Sequence, residues 1–339
     1  MKKVLVTGGA GFIGSHTAVE LENASYTPVI IDNFSNSDRS VIDRLGEIMN
    51  TTPTLIEGDC SDEALLHRVF QEHGPFDGVI HFAAFKAVGE SVRNPLKYYK
   101  NNLRSTEVLM QCMIDHGCKN LVFSSSCTVY GQPDALPVTE ATPFQPANSP
   151  YGYTKQVCER MINEVVAAHK GQFSSILLRY FNPIGAHPSG LIGELPLGRP
   201  ENLIPYITQT AAGWRDELVV FGDDYDTADG TCVRDFIHVV DLAKAHVAAL
   251  TYMDLNNLTT EAVNLGTGDG VTVKQVIDTF EEATGMKFNW RMGDRRPGDV
   301  EKIYASSTKA NDMLNWKTEK SLKDALIDAW NWQQKLPKP

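Results

Sequence analysis

The amino-acid sequence predicts an α/β fold, in which a doubly wound parallel sheet is followed by a smaller C-terminal lobe. Three observations carry this. Short apolar, β-branched runs alternate with helical patterns through the first half of the chain, and those runs are apolar on both faces, as buried parallel strands are. Beyond Tyr180 the alternation gives way to segments punctuated by Pro183, Pro188, Pro196, Pro200 and Pro205. The length of 339 residues, against ~150 per domain, leaves room for about two domains.

In chain order, strands are expected at 3–7, 29–32, 54–58, 78–82, 121–124 and 175–179, with helices at 12–24, 39–49, 62–73, 97–116 and 151–169 between them. Residues 1–180 are therefore read as one domain and 181–339 mainly as a second. Arg234 to Asp241 reads as a strand feeding a helix that reaches Leu250 and rejoins the first sheet. Leu322, Ala325, Leu326, Ala329 and Trp330 fall on one face of an amphipathic packing helix over 321–336.

Composition excludes several classes of function. A hydrophobic fraction of 42% with 22% charged residues is enough for a sizeable core and excludes disorder over most of the chain. The net charge of -11 excludes an extended nucleic-acid face but leaves room for a compact anion in a local basic pocket. No apolar run approaches the ~18 residues of a membrane span, and Thr7-Gly8-Gly9 interrupts the first apolar run, so a cytoplasmic protein is expected. The six cysteines (60, 112, 118, 127, 158, 232) form no C-x-x-C pair and the nine histidines no H-E-x-x-H. Reduced buried thiols and no metal are the expectation; only Cys127, beside the serine described below, is kept as a reactive candidate.

Gly8-Gly9-Ala10-Gly11-Phe12-Ile13-Gly14 follows the first strand and opens a helix. Gly8 permits a tight turn, Gly11 lets the backbone approach a pyrophosphate, and Gly14 lets helix and strand pack closely. Asp32 ends the second strand 18 residues beyond Gly14, where a carboxylate accepts hydrogen bonds from ribose hydroxyls and repels a 2′-phosphate. This is a Rossmann-type signature, and the cofactor it predicts is NAD rather than NADP. The spacing Gly-x-x-Gly-x-x-Gly resembles the extended branch of the short-chain dehydrogenase/reductase superfamily.

Tyr151-Gly-Tyr-Thr-Lys155 opens a helix for which Ser149 is the expected cap and Pro150 the first-turn residue. Tyr151 and Lys155, at i and i+4, share a face. A free phenol with a pKa of ~10 is too weak a base at neutral pH. A cation at ~5 Å in an effective dielectric of ~20 contributes roughly 3 kcal/mol, which lowers that pKa by about two. Ser124-Ser-Ser126 lies at the carboxyl end of a strand, where open α/β sheets bind ligands, and its last hydroxyl is placed to orient a substrate proton.

The resemblance becomes specific in Val4-Leu-Val-Thr-Gly-Gly9, Gly11-Phe-Ile-Gly-Ser-His16, His81-Phe-Ala-Ala-Phe-Lys-Ala-Val-Gly-Glu-Ser91, Ser124-Ser-Ser-Cys-Thr-Val-Tyr-Gly131, Ser149-Pro-Tyr-Gly-Tyr-Thr-Lys155, Arg179-Tyr-Phe-Asn-Pro-Ile-Gly-Ala-His-Pro188 and Val233-Arg-Asp-Phe-Ile-His-Val-Val-Asp-Leu242. Over essentially its whole length the chain resembles the UDP-galactose 4-epimerase (UDP-glucose 4-epimerase) family. That resemblance implies reversible inversion at C4 of UDP-galactose and UDP-glucose, in galactose metabolism, through a transient 4-keto sugar and tightly bound NAD. It implies a homodimer built through the 97–116 and 151–169 regions and no nucleic-acid or membrane partner. It makes Ser126, Tyr151 and Lys155 the catalytic group. It puts Gly8, Gly11, Phe12, Ile13, Gly14, Asp32, Asn33, Phe34, Ser35, Asn36, Ser37, Asp59, Cys60, Phe82, Ala83, Ala84, Lys86, Asn101 and Phe181, with that group, against NAD. Asn182, Asn202, Leu203, Phe221, Arg234, Arg296, Asp299 and Ile303, with Ser126 and Tyr151, fall where the family contacts the UDP-sugar. Two fixed arginines suit a diphosphate in an otherwise acidic chain.

The chain departs from the family pattern at Ala84, at Cys127 and at Ile303; the first two leave the chemistry intact and the third bears on the size of sugar admitted. The rival enzymes of the same branch, 4,6-dehydratases and decarboxylases, differ at the strand-end hydroxyl. A dehydratase needs an added acid pair there, whereas this chain reads Ser126-Cys127-Thr128. A catalytically inert NAD-sensing regulator is expected to lack the tyrosine or the lysine, and both are present.

Overall fold

The computed structural model describes residues 1–256, 259–296 and 299–338. Its centre is a seven-stranded sheet with β1 (Lys2–Thr7), β2 (Tyr26–Asp32), β3 (Thr54–Glu57), β4 (Gly78–His81), β5 (Asn120–Ser126), β6 (Ser174–Tyr180) and the late strand Thr260–Leu265. The spatial order is β3-β2-β1-β4-β5-β6 with Thr260–Leu265 at the edge, and every pairing is parallel. This is the doubly wound sheet, reversing direction of growth between β1 and β4.

Alternate residues of each strand enter different cores. Leu5, Val79, Leu121, Phe123 and Leu177 pack with the helices Glu63–His73, Arg104–Asp115 and Pro150–Ala168. Val4, Val6, Ile80, Val122, Ile176 and Leu178 face the opposite way, with Leu242, Ala245, Ala249 and Leu250 of the helix Val239–Leu255. Both faces of the sheet are thus covered, which is why its strands read as continuous apolar runs. The helix and edge strand that complete this layer come from beyond residue 181.

β2 begins at Tyr26, earlier than its apolar run, and includes Pro28. A proline lacks the N–H that a central ladder needs. Pairing with β3 starts only at Val29, so Pro28 lies beyond the reach of that neighbour. The stretch expected as one helix over 97–116 is instead Pro95–Tyr98, a wider π-helical turn at Tyr99–Leu103, and Arg104–Asp115. Buried Asn102 sits in that turn: its amide donates to Phe85 O at 3.0 Å and Thr154 Oγ1 at 3.1 Å, and its Oδ1 accepts from Phe85 N at 2.9 Å. Such turns commonly interrupt helices where a side chain must be aimed.

Ser149 caps Pro150–Ala168 by accepting from Gly152 N, with Pro150 in the first turn, as expected. Glu159 then fixes the helix to the sheet. Its carboxylate receives Arg179 of β6 at 2.6 Å and 2.9 Å and the Ser125 hydroxyl of β5, with side-chain exposures of only 2% and 8% for the ion pair.

The second lobe has its own core of Ile184, Ile204, Ile207, Leu218, Val220, Phe236, Val276, Phe280, Leu326 and Trp330. It is joined by short strands: Asn182–Ile184 beside Phe236–His238, and Val233–Arg234 between Val271–Thr272 and Lys302–Ile303.

Glu159→Ala leaves the Arg179 charge buried and unpaired, a change that typically costs ~3–5 kcal/mol. Chemical denaturation should show a loss of that order, whereas Arg160→Ala, which breaks an exposed pair with Glu164, should cost under ~1 kcal/mol. Equal small losses would contradict this account of the helix seat.

Candidate active site

The crevice beyond the carboxyl ends of β1 and β4 holds the glycine loop. Gly8 has a φ of +69°, and a Cβ there would lie 2.9 Å from Ala83 N in the loop after β4. A Cβ on Gly14 would lie 2.3 Å from Gly8 O, so the helix Phe12–Asn23 can approach the turn only without a side chain. Gly11 caps this helix with no side-chain acceptor, and the first turn, with Phe12 and Ile13, contains no acid, so the positive end of the helix is uncompensated.

Asp32 is buried under the loop. Its Oδ2 accepts from Ala10 N, and its Oδ1 from Phe34 N and Ser37 Oγ, each at 2.9 Å. The carboxylate thus also ties the glycine loop to the turn after β2, a task its spacing alone does not reveal. Asn33, Ser35 and Asn36 are exposed beside it; Asn33 donates to Asp59 Oδ2 at 2.9 Å. Burial works against the Asp59 carboxylate, but Ser61 and Asn33 outweigh it and hold its pKa below the usual range. Cys60 is buried and its thiol is pushed up to about 12. Phe82, Ala83 and Ala84 line the adjoining loop half-buried, and Asn101 donates to Asn102 in the π-turn at 3.1 Å.

At the ends of β5 and β6, Ser126, Tyr151 and Lys155 are 7%, 9% and 4% exposed. The Lys155 ammonium donates to Ser124 O at 2.7 Å and stands 6.0 Å from the centre of the Tyr151 ring. The expected depression of the tyrosine pKa is not what the structure gives. Burial pushes the Tyr151 phenol up to about 12, opposed by the neighbouring Ser126 hydroxyl, and burial lowers Lys155 to about 8. Each group loses hydration of its charged form, which raises the phenol and lowers the ammonium. Cys127 is no thiolate either: burial raises it to about 12, against the pull of Arg234.

Arg234 and Arg296 meet at Asp299, with Nη2 to Oδ1 separations of 3.7 Å and 2.8 Å. Phe221, 43% exposed, has the Arg296 guanidinium 5.6 Å above its ring. Ile303 is the register partner of Arg234 and packs with Val129 and Phe181. Asn182 opens the strand beside Phe236–His238, and Asn202 stands at the N-terminal cap position of the helix Leu203–Ala211 without a side-chain capping bond. Asn202 donates to Glu194 Oε1 at 2.6 Å, and Lys86 reaches the same oxygen at 3.1 Å. Glu194 and Asn102 are the residues that sequence reasoning missed. Glu194 lies in a proline- and glycine-rich loop that gives no signal of its own, and the partners of Asn102 are distant in the chain.

Residues 4–266 match the model of the NAD dependent epimerase/dehydratase family. The chain belongs to that family. It is 49% identical to the UDP-glucose 4-epimerase of Bacillus subtilis over 97% of this chain and 96% of the relative. With the Mus musculus UDP-glucose 4-epimerase it shares 49% identity over 99% and 98%. The solved UDP-glucose 4-epimerase of Bifidobacterium longum, in complex with NAD+ and UDP, superposes with a TM-score of 0.95 at 47% identity, covering 99% of both chains.

The residues present fit the family's cofactor. The uncompensated helix end suits a pyrophosphate, and a buried acid at the end of β2 suits an unphosphorylated ribose. Purified protein should therefore release NAD, not NADP, on denaturation. Asp32→Ala should release little of either, because the carboxylate also holds Ala10. Chromatography of the released nucleotide decides this; NADP as the main nucleotide from the wild type would overturn the assignment.

Proposed function

We propose that this chain interconverts UDP-galactose and UDP-glucose by reversible inversion at C4, with 1–180 mainly holding NAD and 181–339 mainly holding the UDP-sugar. The observation that carries this reading is the buried Ser126, Tyr151 and Lys155 group at the carboxyl end of β5, followed by Cys127 and Thr128 rather than by an acid pair. The dehydratase and regulator alternatives are not favoured.

Bound NAD would supply a reversible hydride acceptor for C4 and, in its oxidised form, a positive charge that favours the phenolate. The chain's own residues do the rest. Tyr151 Oη accepts the 4-hydroxyl proton and gives it back, a role typically worth ~10²–10⁴ in rate. Ser126 orients that hydroxyl, and its own hydroxyl acts to lower the phenol's pKa. Lys155, held by Ser124 O, supports the phenolate as a nearby cation. Arg234 and Arg296 bind the diphosphate, for which Asp299 holds them together. Asn182, Asn202, Leu203 and Phe221 hold the nucleotide and sugar, and Ile303 limits what fits beside the sugar ring.

The same reading makes the chain a homodimer. Its support is the exposed Val92 and Leu96, 61% and 78% accessible, and a groove of about 800 Å³ along Pro150–Ala168, lined by Phe144, Tyr153, Val157 and Ala167. A cytoplasmic location accords with six free cysteines; among the described residues no helix is long and apolar enough to cross a membrane.

Incubating purified protein with UDP-galactose and no added cofactor should give UDP-glucose. Tyr151→Phe should lower turnover by ~10²–10⁴ with the thermal midpoint unchanged. No conversion by the wild type would sink the reading; near-normal turnover by the variant would move the proton to another group, Ser126 first.

A further inference from the structure

Asp235 follows Arg234 directly and is fully buried. Its Oδ1 accepts from Thr267 N and Thr267 Oγ1, both at 2.8 Å; its Oδ2 accepts from Ala305 N at 3.1 Å and Gly268 N at 3.3 Å. A carboxylate offers about four acceptor sites, and these donors fill them. The seat is shaped for it, since a Cβ on Gly266 would fall 2.3 Å from Oδ2. The main chain of Asp235 reaches a further segment: its carbonyl accepts from Asn182 N at 3.0 Å.

One residue therefore gathers three segments around the diphosphate-binding arginine. Asn182 hangs from its carbonyl, and Ala305, two residues beyond Ile303, hangs from its carboxylate. Arg234 is its chain neighbour and the register partner of Ile303. A buried carboxylate is an unfavourable way to stabilise a fold, because an apolar side chain of similar size often does as well. What it supplies is direction, since each lone pair fixes one donor.

We propose that Asp235 is the positioning residue of the UDP-sugar site. It sets the spacing between Arg234, Asn182 and Ile303, and so sets affinity for the nucleotide sugar, while its own oxygens stay occupied by the protein. This inference rests on the UDP-sugar reading of those three residues.

Asp235→Asn keeps the shape but turns an amide N–H₂ toward main-chain donors. Steady-state kinetics with UDP-galactose on NAD-loaded protein should show KM raised about tenfold or more with kcat within about threefold, the split expected when binding rather than chemistry is lost. Thr267→Val removes one donor and should raise KM about two- to fivefold; it decides the matter if the asparagine variant does not fold. Asp241→Asn is the control. That carboxylate is as deeply buried and accepts Glu319 N at 3.0 Å and Lys320 N at 2.9 Å, but none of the proposed UDP-sugar residues is among its partners. It should lower the thermal midpoint and leave KM unchanged. Wild-type KM in both the Asp235 and Thr267 variants, or an equal rise in the Asp241 variant, overturns the inference. Wild-type protein that fails to convert UDP-galactose overturns the underlying reading instead.

Discussion

The seating of the helix Pro150–Ala168 on the sheet is the constraint on which the proposed chemistry depends. Tyr151 and Lys155 are in its first turns, Ser126 is at the end of β5, and their relation is set by how the helix meets the strands. Glu159 locks it to Arg179 of β6 and Ser125 of β5, while Lys155 itself reaches Ser124 O. Asn102 ties the same helix, through Thr154, to the loop after β4 that borders the glycine turn. The residues proposed to handle the proton and the crevice around the glycine turn are thus parts of one packed unit.

The two lobes divide the electrostatic work. The first lobe presents the N-terminus of the helix Phe12–Asn23, with no acid in its first turn, a setting suited to a pyrophosphate. The second presents two arginines joined at Asp299, in a chain whose net charge is -11. A diphosphate therefore finds concentrated positive charge only locally. Glu194 joins Lys86 of the first lobe to Asn202 of the second through a single carboxylate oxygen.

Much of this was legible from local signals. The glycine turn, Asp32 at the end of β2, the Ser149–Pro150 cap and the i, i+4 phenol and ammonium are all short-range patterns, and the structure forms each of them. What was not legible depends on long-range contact. Asn102 sits in a π-turn, and its side-chain partners lie 17 and 52 residues away in the chain. β2 tolerates Pro28 because its neighbour starts late. Spacing reveals the cation near Tyr151 but not the burial that raises the phenol's pKa and lowers that of Lys155. Asp32 likewise reads as a cofactor ligand, yet it also holds the loop that would receive the cofactor.

The central claim is that hydrogen at C4 leaves and returns as hydride without meeting solvent, since the chain offers one phenol and a serine at that position and no added acid pair to work at carbon. The most direct measurement is to supply UDP-galactose deuterated at C4 in ordinary water and examine the UDP-glucose by mass spectrometry or NMR. The account predicts deuterium retained at C4, with no water-derived hydrogen elsewhere in the ring. Loss of the label to solvent, or accumulation of a 4-keto-6-deoxy sugar, would contradict it.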